Sequence, residues 1–342
     1  MHRTAALIVG LLSWTGCTPA VEAPVPRTAD PSRPGVLKLE ELRGPQVDAL
    51  DRERTLFILP IGMIEVHGPH LPIGNDTIGL VYEANEAATR LQQALPDWHI
   101  VMMPPVAYGQ SGANELGGIL VHPGTYGMRQ STLRSLVADL GGQVAQNRFK
   151  WVFVMNGHGA PTHNIAISQA CDFISETFGV TMLHVTALLR ADPAIQATGQ
   201  QILAKHYSAD DIASFGLDLH AGVSETAGAL AIRPDLVDPA YRSLPSQAGQ
   251  SLEQVREIAG RSGWQGYLSR PASATAEYGR EIEEWWINGF KDLSLRAVRG
   301  ENMFVHPRFP DMIPPAVAAT AEKALANEAA FEARLENWLA KR

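Results

Sequence analysis

Cysteine is nearly absent from this chain: its 342 residues contain two, Cys17 and Cys171. A disulfide framework and a thiolate zinc site both need cysteines in sets, so neither can organise the fold. Long apolar runs are missing too. The stretch from Ala5 to Trp14 is far too short to cross a bilayer. Basic charge is in deficit, with 28 Lys and Arg against 36 Asp and Glu and a formal charge of −8, which argues against nucleic acid or a polybasic membrane surface as partner. No repeat period or low-complexity block stands out beyond an early linker. What remains is globular material. With 45% hydrophobic residues the chain can bury a large core, and no shift of composition follows residue 37, so residues 37–342 are expected to form one domain.

Residues 1–17 read as a targeting segment rather than as structure. His2 and Arg3 precede the apolar stretch and Thr15-Gly16-Cys17 closes it, an arrangement similar to a bacterial lipoprotein signal peptide with lipidation at Cys17. Residues 18–36, rich in Pro and Ala, then read as an extended tether. Thr18 is not an acidic retention residue, so the expected location is the periplasmic side of the bacterial cell envelope, on the outer membrane. The lipid would be the only membrane contact. Cleavage as an ordinary secretory signal is the alternative. Cys171 is left without a disulfide partner and falls in a helical pattern, as a small buried apolar residue.

The densest chemistry lies in residues 59–77, LPIGMIEVHGPHLPIGNDT. Thr55 to Ile61 is almost unbroken apolar sequence and reads as a buried strand; glycines and prolines then force an irregular loop until a helical pattern begins near Thr77. In open α/β sheets ligands bind at the carboxyl ends of the strands, where this loop would sit. Glu65 and His67, two apart in extended chain, point the same way. Asp76 arrives at the helix start, where it could cap the helix, bind metal or do both. Residues 151–164, WVFVMNGHGAPTHN, repeat the plan: an apolar run, Asn156-Gly157-His158-Gly159, then a helix opened by Pro161. A third segment sets His220 five residues before Glu225, at the head of an apolar helical stretch. His70 and His163 neighbour these motifs without carboxylates of their own and read as supporting groups.

Strands are predicted at 55–61, 98–103, 151–155 and 179–185, and helices at 77–95, 127–149, 161–178 and 246–262. That alternation implies an α/β fold with a mainly parallel sheet covered on both faces. Residues 315–342 are alanine-rich and amphipathic and read as a helix packed on the domain or on a neighbouring subunit. Trp285 and Trp286 lie in a helical stretch and read as core or interface.

Taken in order, these residues resemble the creatininase family of creatinine amidohydrolases: Glu65-Val66-His67-Gly68-Pro69-His70, Asp76, Asn156-Gly157-His158-Gly159, His220-Ala221-Gly222 and Glu225-Thr226. Tyr108-Gly109-Gln110-Ser111, His122-Pro123-Gly124-Thr125 and Ala274-Thr275-Ala276-Glu277-Tyr278-Gly279 extend the likeness over about residues 37–300. The resemblance implies a single three-layer αβα domain, a two-metal hydrolase centre and a homo-oligomer, a hexamer in relatives. It implies that Glu65 and His67 bind different ions, that Asp76 bridges them, that His158 completes one site and that His220 donates a proton. There are two departures. The family's further glutamate ligand, two residues after His158, is Ala160 here, and Glu225 is the expected substitute. Between Ser111 and His122 the chain is longer and carries Asn114 and Glu115 in place of the family's Glu-His pair, on the side where relatives hold substrate.

The side chains support such chemistry on their own. Two histidines and three carboxylates form a mixed nitrogen and oxygen set suited to zinc, manganese or iron(II). Two divalent metal ions per chain would make a bridging water acidic and polarise a carbonyl. His220 and Glu225 are the expected catalytic residues, His220 because an imidazole titrates near neutrality and can protonate a leaving nitrogen. The expected reaction is hydrolysis of a C–N amide bond in a small-molecule amide substrate, cyclic like creatinine or open. Tyr108, Ser111 and Asn114 are the expected substrate contacts, since they lie in a glycine-rich loop after a strand. A deformylase-like or peptide-trimming specificity is one alternative, and a lipoprotein that binds small molecules or metal without turnover is the other.

Overall fold

The computed structural model describes residues 33–112, 116 and 122–342, so Cys17, Asn114 and most of the tether lie outside the described residues. Every residue of the apolar run Thr55–Ile61 is buried, as a strand covered on both faces requires. It forms β2 of a sheet with β1 (Gly35–Lys38), β3 (His99–Met102), β4 (Trp151–Asn156) and β5 (Thr181–His184), in the order β1-β3-β2-β4-β5 with all pairs parallel. The helices that matter for the site are α1 (Asn75–Ala94), α2 (Gln130–Gln146), α3 (Pro161–Phe178), α4 (Val185–Ala191), α5 (Val223–Ile232), α6 (Ala276–Val298) and α7 (Glu322–Leu339).

Strand side chains alternate between the two faces, and each set finds its own helices. Leu56, Ile58, Phe153 and Met155 pack with Leu80, Ala84 and Leu91 of α1, Leu188 and Leu189 of α4, and Ile287 and Phe290 of α6. Phe57, Leu59, Val152 and Val154 pack with Leu133 and Val137 of α2 and with Ala166, Ala170 and Cys171 of α3. The result is three layers, helices on both faces of a parallel sheet. Each fully buried aliphatic or aromatic side chain contributes about 1.5–3 kcal/mol. From β2 the chain turns to β3 on one side, whereas β4 lies on the other. This reversal opens a crevice at the carboxyl ends of β2 and β4.

The structure departs from the sequence reading in several elements. Strand β1 escapes prediction because only Leu37 of its four residues is buried. The helix expected over 246–262 shrinks to Leu252–Ala259, since Gln247 bridges antiparallel to Ser269 and the Ser251 side chain accepts from the Gln254 amide. The helix expected from Pro315 is interrupted, with a short turn at Pro315–Ala318 before α7.

Candidate metal centre

Beyond β2 the backbone folds back on itself, with the Glu65 amide donating to the Ile73 carbonyl at 2.9 Å and the Leu71 amide to the His67 carbonyl at 3.3 Å. This loop holds Glu65 and His67, both fully buried, above the sheet. Asp76 lies in the first turn of α1, and no side chain caps that helix, so of the roles open to Asp76 capping is not the one it takes. Its carboxylate turns to the imidazoles instead, and the positive end of the helix favours its charge. After β4, Gly157 lets the backbone run against that same turn: a Cβ at Gly157 would stand 2.7 Å from the Asp76 carbonyl oxygen. This close approach brings His158 to Asp76 from the neighbouring strand end.

Asp76 uses its two oxygens separately. Oδ1 is 2.8 Å from His67 Nε2, and Oδ2 is 2.7 Å from His158 Nδ1. Glu225 Oε2, from the first turn of α5, stands 3.4 Å from His67 Nε2. Glu65 Oε1 lies 3.5 Å from both His158 Nδ1 and His220 Nδ1. Three sets therefore gather ligand atoms within 4.8 Å of one another: Glu65, Asp76 and His158; His67, Asp76 and Glu225; Glu65, His67 and His220. Asp76 joins the first two sets, as a bridging carboxylate must. Glu225 joins His67 and Asp76 in the second set.

The imidazoles are oriented from behind. His67 Nδ1 pairs with the Glu65 carbonyl at 3.0 Å and His158 Nε2 with the Gln110 carbonyl at 3.0 Å. These bonds assign the outer ring nitrogens as donors and turn the other nitrogens toward the carboxylates. Gln110 is itself tied down, accepting from the Thr162 hydroxyl and donating to Glu328 Oε1 of α7 at 3.2 Å. His163 accepts from the Gln110 amide at 3.2 Å and pairs with Asn156 Oδ1 at 3.0 Å, while His70 pairs with the Thr226 hydroxyl at 2.9 Å. Both are thus supporting groups. Ser111, expected as a substrate contact, donates to Glu65 Oε2 at 2.7 Å and so buttresses a cluster carboxylate. Tyr108 is 52% exposed and stands outside the cavity wall that the cluster shares.

Charge separates the groups. Burial opposes the His67 imidazolium, yet Asp76, Glu225 and Glu65 together push its pKa up to about 10; His158, likewise opposed by burial, is pushed up to about 9 by Glu65 and Asp76. Asp76 is held below the usual carboxylate range because His67 and His158 outweigh its burial. Burial raises Glu225 to about 7 against the pull of His67. The donor set fits divalent cations, which would compete with these protons for the same nitrogen and oxygen atoms. His220 behaves differently. Burial lowers it to about 4 despite Glu65, and its Nε2 donates to the Val66 carbonyl at 2.7 Å. It is a neutral ring with the Nδ1 lone pair facing Glu65. The next residue, Ala221, has φ 47°, a strained value for a residue with a Cβ, and its amide donates to Glu225 Oε2 at 2.6 Å.

The cluster lies on the wall of a cavity of about 500 Å3, which also runs past Gly112, Arg190, Glu283, Trp286 and Phe309. No helix among the described residues is long and apolar enough to cross a membrane.

A family model described as creatininase, creatinine amidohydrolase, matches residues 40–293. A mycofactocin precursor peptide peptidase from Mycolicibacterium smegmatis is 30% identical over 249 residues, covering 69% of this chain and 83% of the relative. A creatinine amidohydrolase from Pseudomonas putida is 26% identical over 246 residues, covering 69% of this chain and 87% of that protein. Among solved structures, a creatinine amidohydrolase (creatininase) superposes with a TM-score of 0.55 at 22% identity, covering 77% of this chain and 98% of the other. A manganese creatininase superposes equally well, at 23% identity. These superpositions share the α/β fold.

Proposed function

This chain belongs to the creatininase family and is a hydrolase of that family, and from that premise we propose that it hydrolyses C–N amide bonds at a centre of two divalent ions. The observation that carries the proposal is Asp76, whose two oxygens face His67 and His158 from one carboxylate. Glu65, Asp76 and His158 would hold one ion and His67, Asp76 and Glu225 the other. When bound, such ions acidify water and polarise the attacked carbonyl.

The protein's own residues do the rest. His220 rests neutral, its Nε2–H engaged by the Val66 carbonyl. Its free lone pair is therefore Nδ1, on the cluster side, so it first takes a proton from the attacking water and then passes it to the leaving nitrogen. Ser111 and the Glu65 carbonyl keep Glu65 and His67 from swinging away. The cavity is of the size that takes drug-sized ligands, which favours an amide larger than creatinine, and the peptide peptidases among the relatives agree with that. Turnover on short peptides, creatinine, lactams and formamides, measured with the metal content of the same sample, tests the reading. Bound metal with no hydrolysis across the panel would leave a binding module.

We also propose that the enzyme is held at the periplasmic face of the envelope by lipidated Cys17. Its fractionation with membranes, lost in Cys17→Ser, is the check. A homo-oligomer is proposed with it, and the exposed Phe331, Trp338 and Leu339 of α7 support that.

A further inference from the structure

The cavity extends well beyond the cluster, and its charged wall residues can be taken one by one. Asp218 accepts from the amides of Val223 and Ser224, each at 2.9 Å. Arg233 grips Asp235 with two bonds, at 2.8 and 2.7 Å. Glu83 and Glu283 bond to each other, and burial raises both carboxyls. Arg190 differs from all of these. Among the described residues it makes no ion pair and donates no hydrogen bond; its guanidinium lies over the Trp286 ring, 5.4 Å from the centroid.

Topology puts this arginine on the rim that bears the cluster. It occupies the last turn of α4, which follows directly from the carboxyl end of β5, next to β4. The residue is exposed to solvent, and the surrounding wall, opposed by the charge of Glu225, lowers its pKa. Guanidinium stays charged all the same. Exposed to the cavity and with no acid in contact among the described residues, the cation is free to pair with an anion that enters, and such a charge-assisted pair is stronger than a neutral hydrogen bond. The same cavity wall carries a set of apolar side chains: Ile232, Ile282, Trp286, Phe309, Met312 and Ile313.

We infer that Arg190 anchors a carboxylate of the substrate, with Trp286 backing the guanidinium plane and the apolar wall holding a bulky side chain. The substrate class is then an amide with a free carboxylate on an apolar body, such as a peptide C-terminus or an N-acyl amino acid. A neutral cyclic amide does not use this part of the cavity. The inference deepens the amide-hydrolase reading and rests on it for the word substrate; the anchoring itself is measured by binding.

The test uses metal-loaded full-length protein and two probes, N-acetyl-Leu-Phe with a free carboxyl and the same compound as its C-terminal amide, titrated calorimetrically. The wild type should favour the acid by about ten- to hundredfold, the range of a charge-assisted hydrogen bond. Arg190→Ala should erase that preference while leaving the amide's affinity, the metal content and the circular dichroism unchanged. Arg190→Lys should keep part of it, because a point charge cannot reproduce the fork. Equal affinity for acid and amide in the wild type would overturn the inference. A preference that survives Arg190→Ala would do so too, placing the carboxylate at the metal cluster instead. If Arg190-dependent binding holds while no amide is hydrolysed, the amide-hydrolase reading fails and the anchor stands.

Discussion

Glu65, Asp76 and Glu225 line one part of the cavity together with His158 and His220, and with His67 behind them, whereas Glu83 and Glu283 line another part where, among the described residues, no imidazole joins them. Burial pushes every buried carboxyl toward its neutral form. In the cluster the imidazoles reverse this for Asp76; in the pair nothing does, and the like charge of Glu83 adds to the rise at Glu283. The comparison teaches that acidity and burial do not make a metal centre. Imidazoles on both sides keep the bridging Asp76 ionised and supply half of the donor residues, while an acidic pair without them is pushed toward its protonated form.

The largest effect should come from breaking the bridge. Asp76→Ala removes the one carboxylate shared by both triads, so metal content should fall from about two divalent ions per chain to near none, and turnover with it. Glu283→Gln, in the same cavity, should leave the metal content untouched. Plasma mass spectrometry of the dialysed proteins reads both. An Asp76→Ala protein that keeps two ions would show that Asp76 bridges nothing.

A second, smaller effect separates two members of the cluster. His220→Ala should keep its metals yet lose on the order of a hundred- to ten-thousandfold in turnover, the range for a removed proton carrier. That loss should shrink on substrates with good leaving groups. Glu225→Gln should instead weaken metal affinity, and excess metal should restore part of the rate. Since His220 also belongs to the third ligand set with Glu65 and His67, metal release from His220→Ala would reassign it as a ligand.

Which of these groups could be read from sequence follows from how each is placed. Glu65, His67, Asp76 and His158 were legible because they crowd the ends of two apolar strands, where spacing and glycine both signal a ligand loop. Glu225 drew notice as an acidic residue at a helix start five residues after His220, and the fold sets it beside His67 and Asp76. The orienting bonds were not, because the Gln110 and Val66 groups that hold His158 and His220 are backbone carbonyls, which carry no residue-type signal. Glu83 and Glu283 sit on α1 and α6 and meet only in three dimensions. Trp286, read as core or interface, turns out to be partly buried against the core and also part of the cavity wall. Arg190 carried no signal in the sequence, because its place on the cavity wall beside Trp286 arises only in the fold.

The smallest effect tests the other half of the comparison, through pH. Glu283 is buried and its folded pKa is raised well above the ordinary value of 4.5, by burial first and by Glu83 second. In the unfolded chain the carboxyl ionises near 4.5; in the folded chain it keeps its proton to higher pH. Its contribution is therefore fully present below that value and is lost as pH rises toward the folded pKa, by up to about 1.4 kcal/mol per pH unit for one proton. Glu283→Gln keeps the shape, still bonds Glu83 and has no proton to lose. The variant should match the wild type near pH 4.5 and become the more stable of the two as pH rises, read as urea midpoints across pH 5 to 8. A stability difference that stays constant over that range would mean that the pair is ionised as freely as the cluster, and that imidazoles are not what tells the two apart.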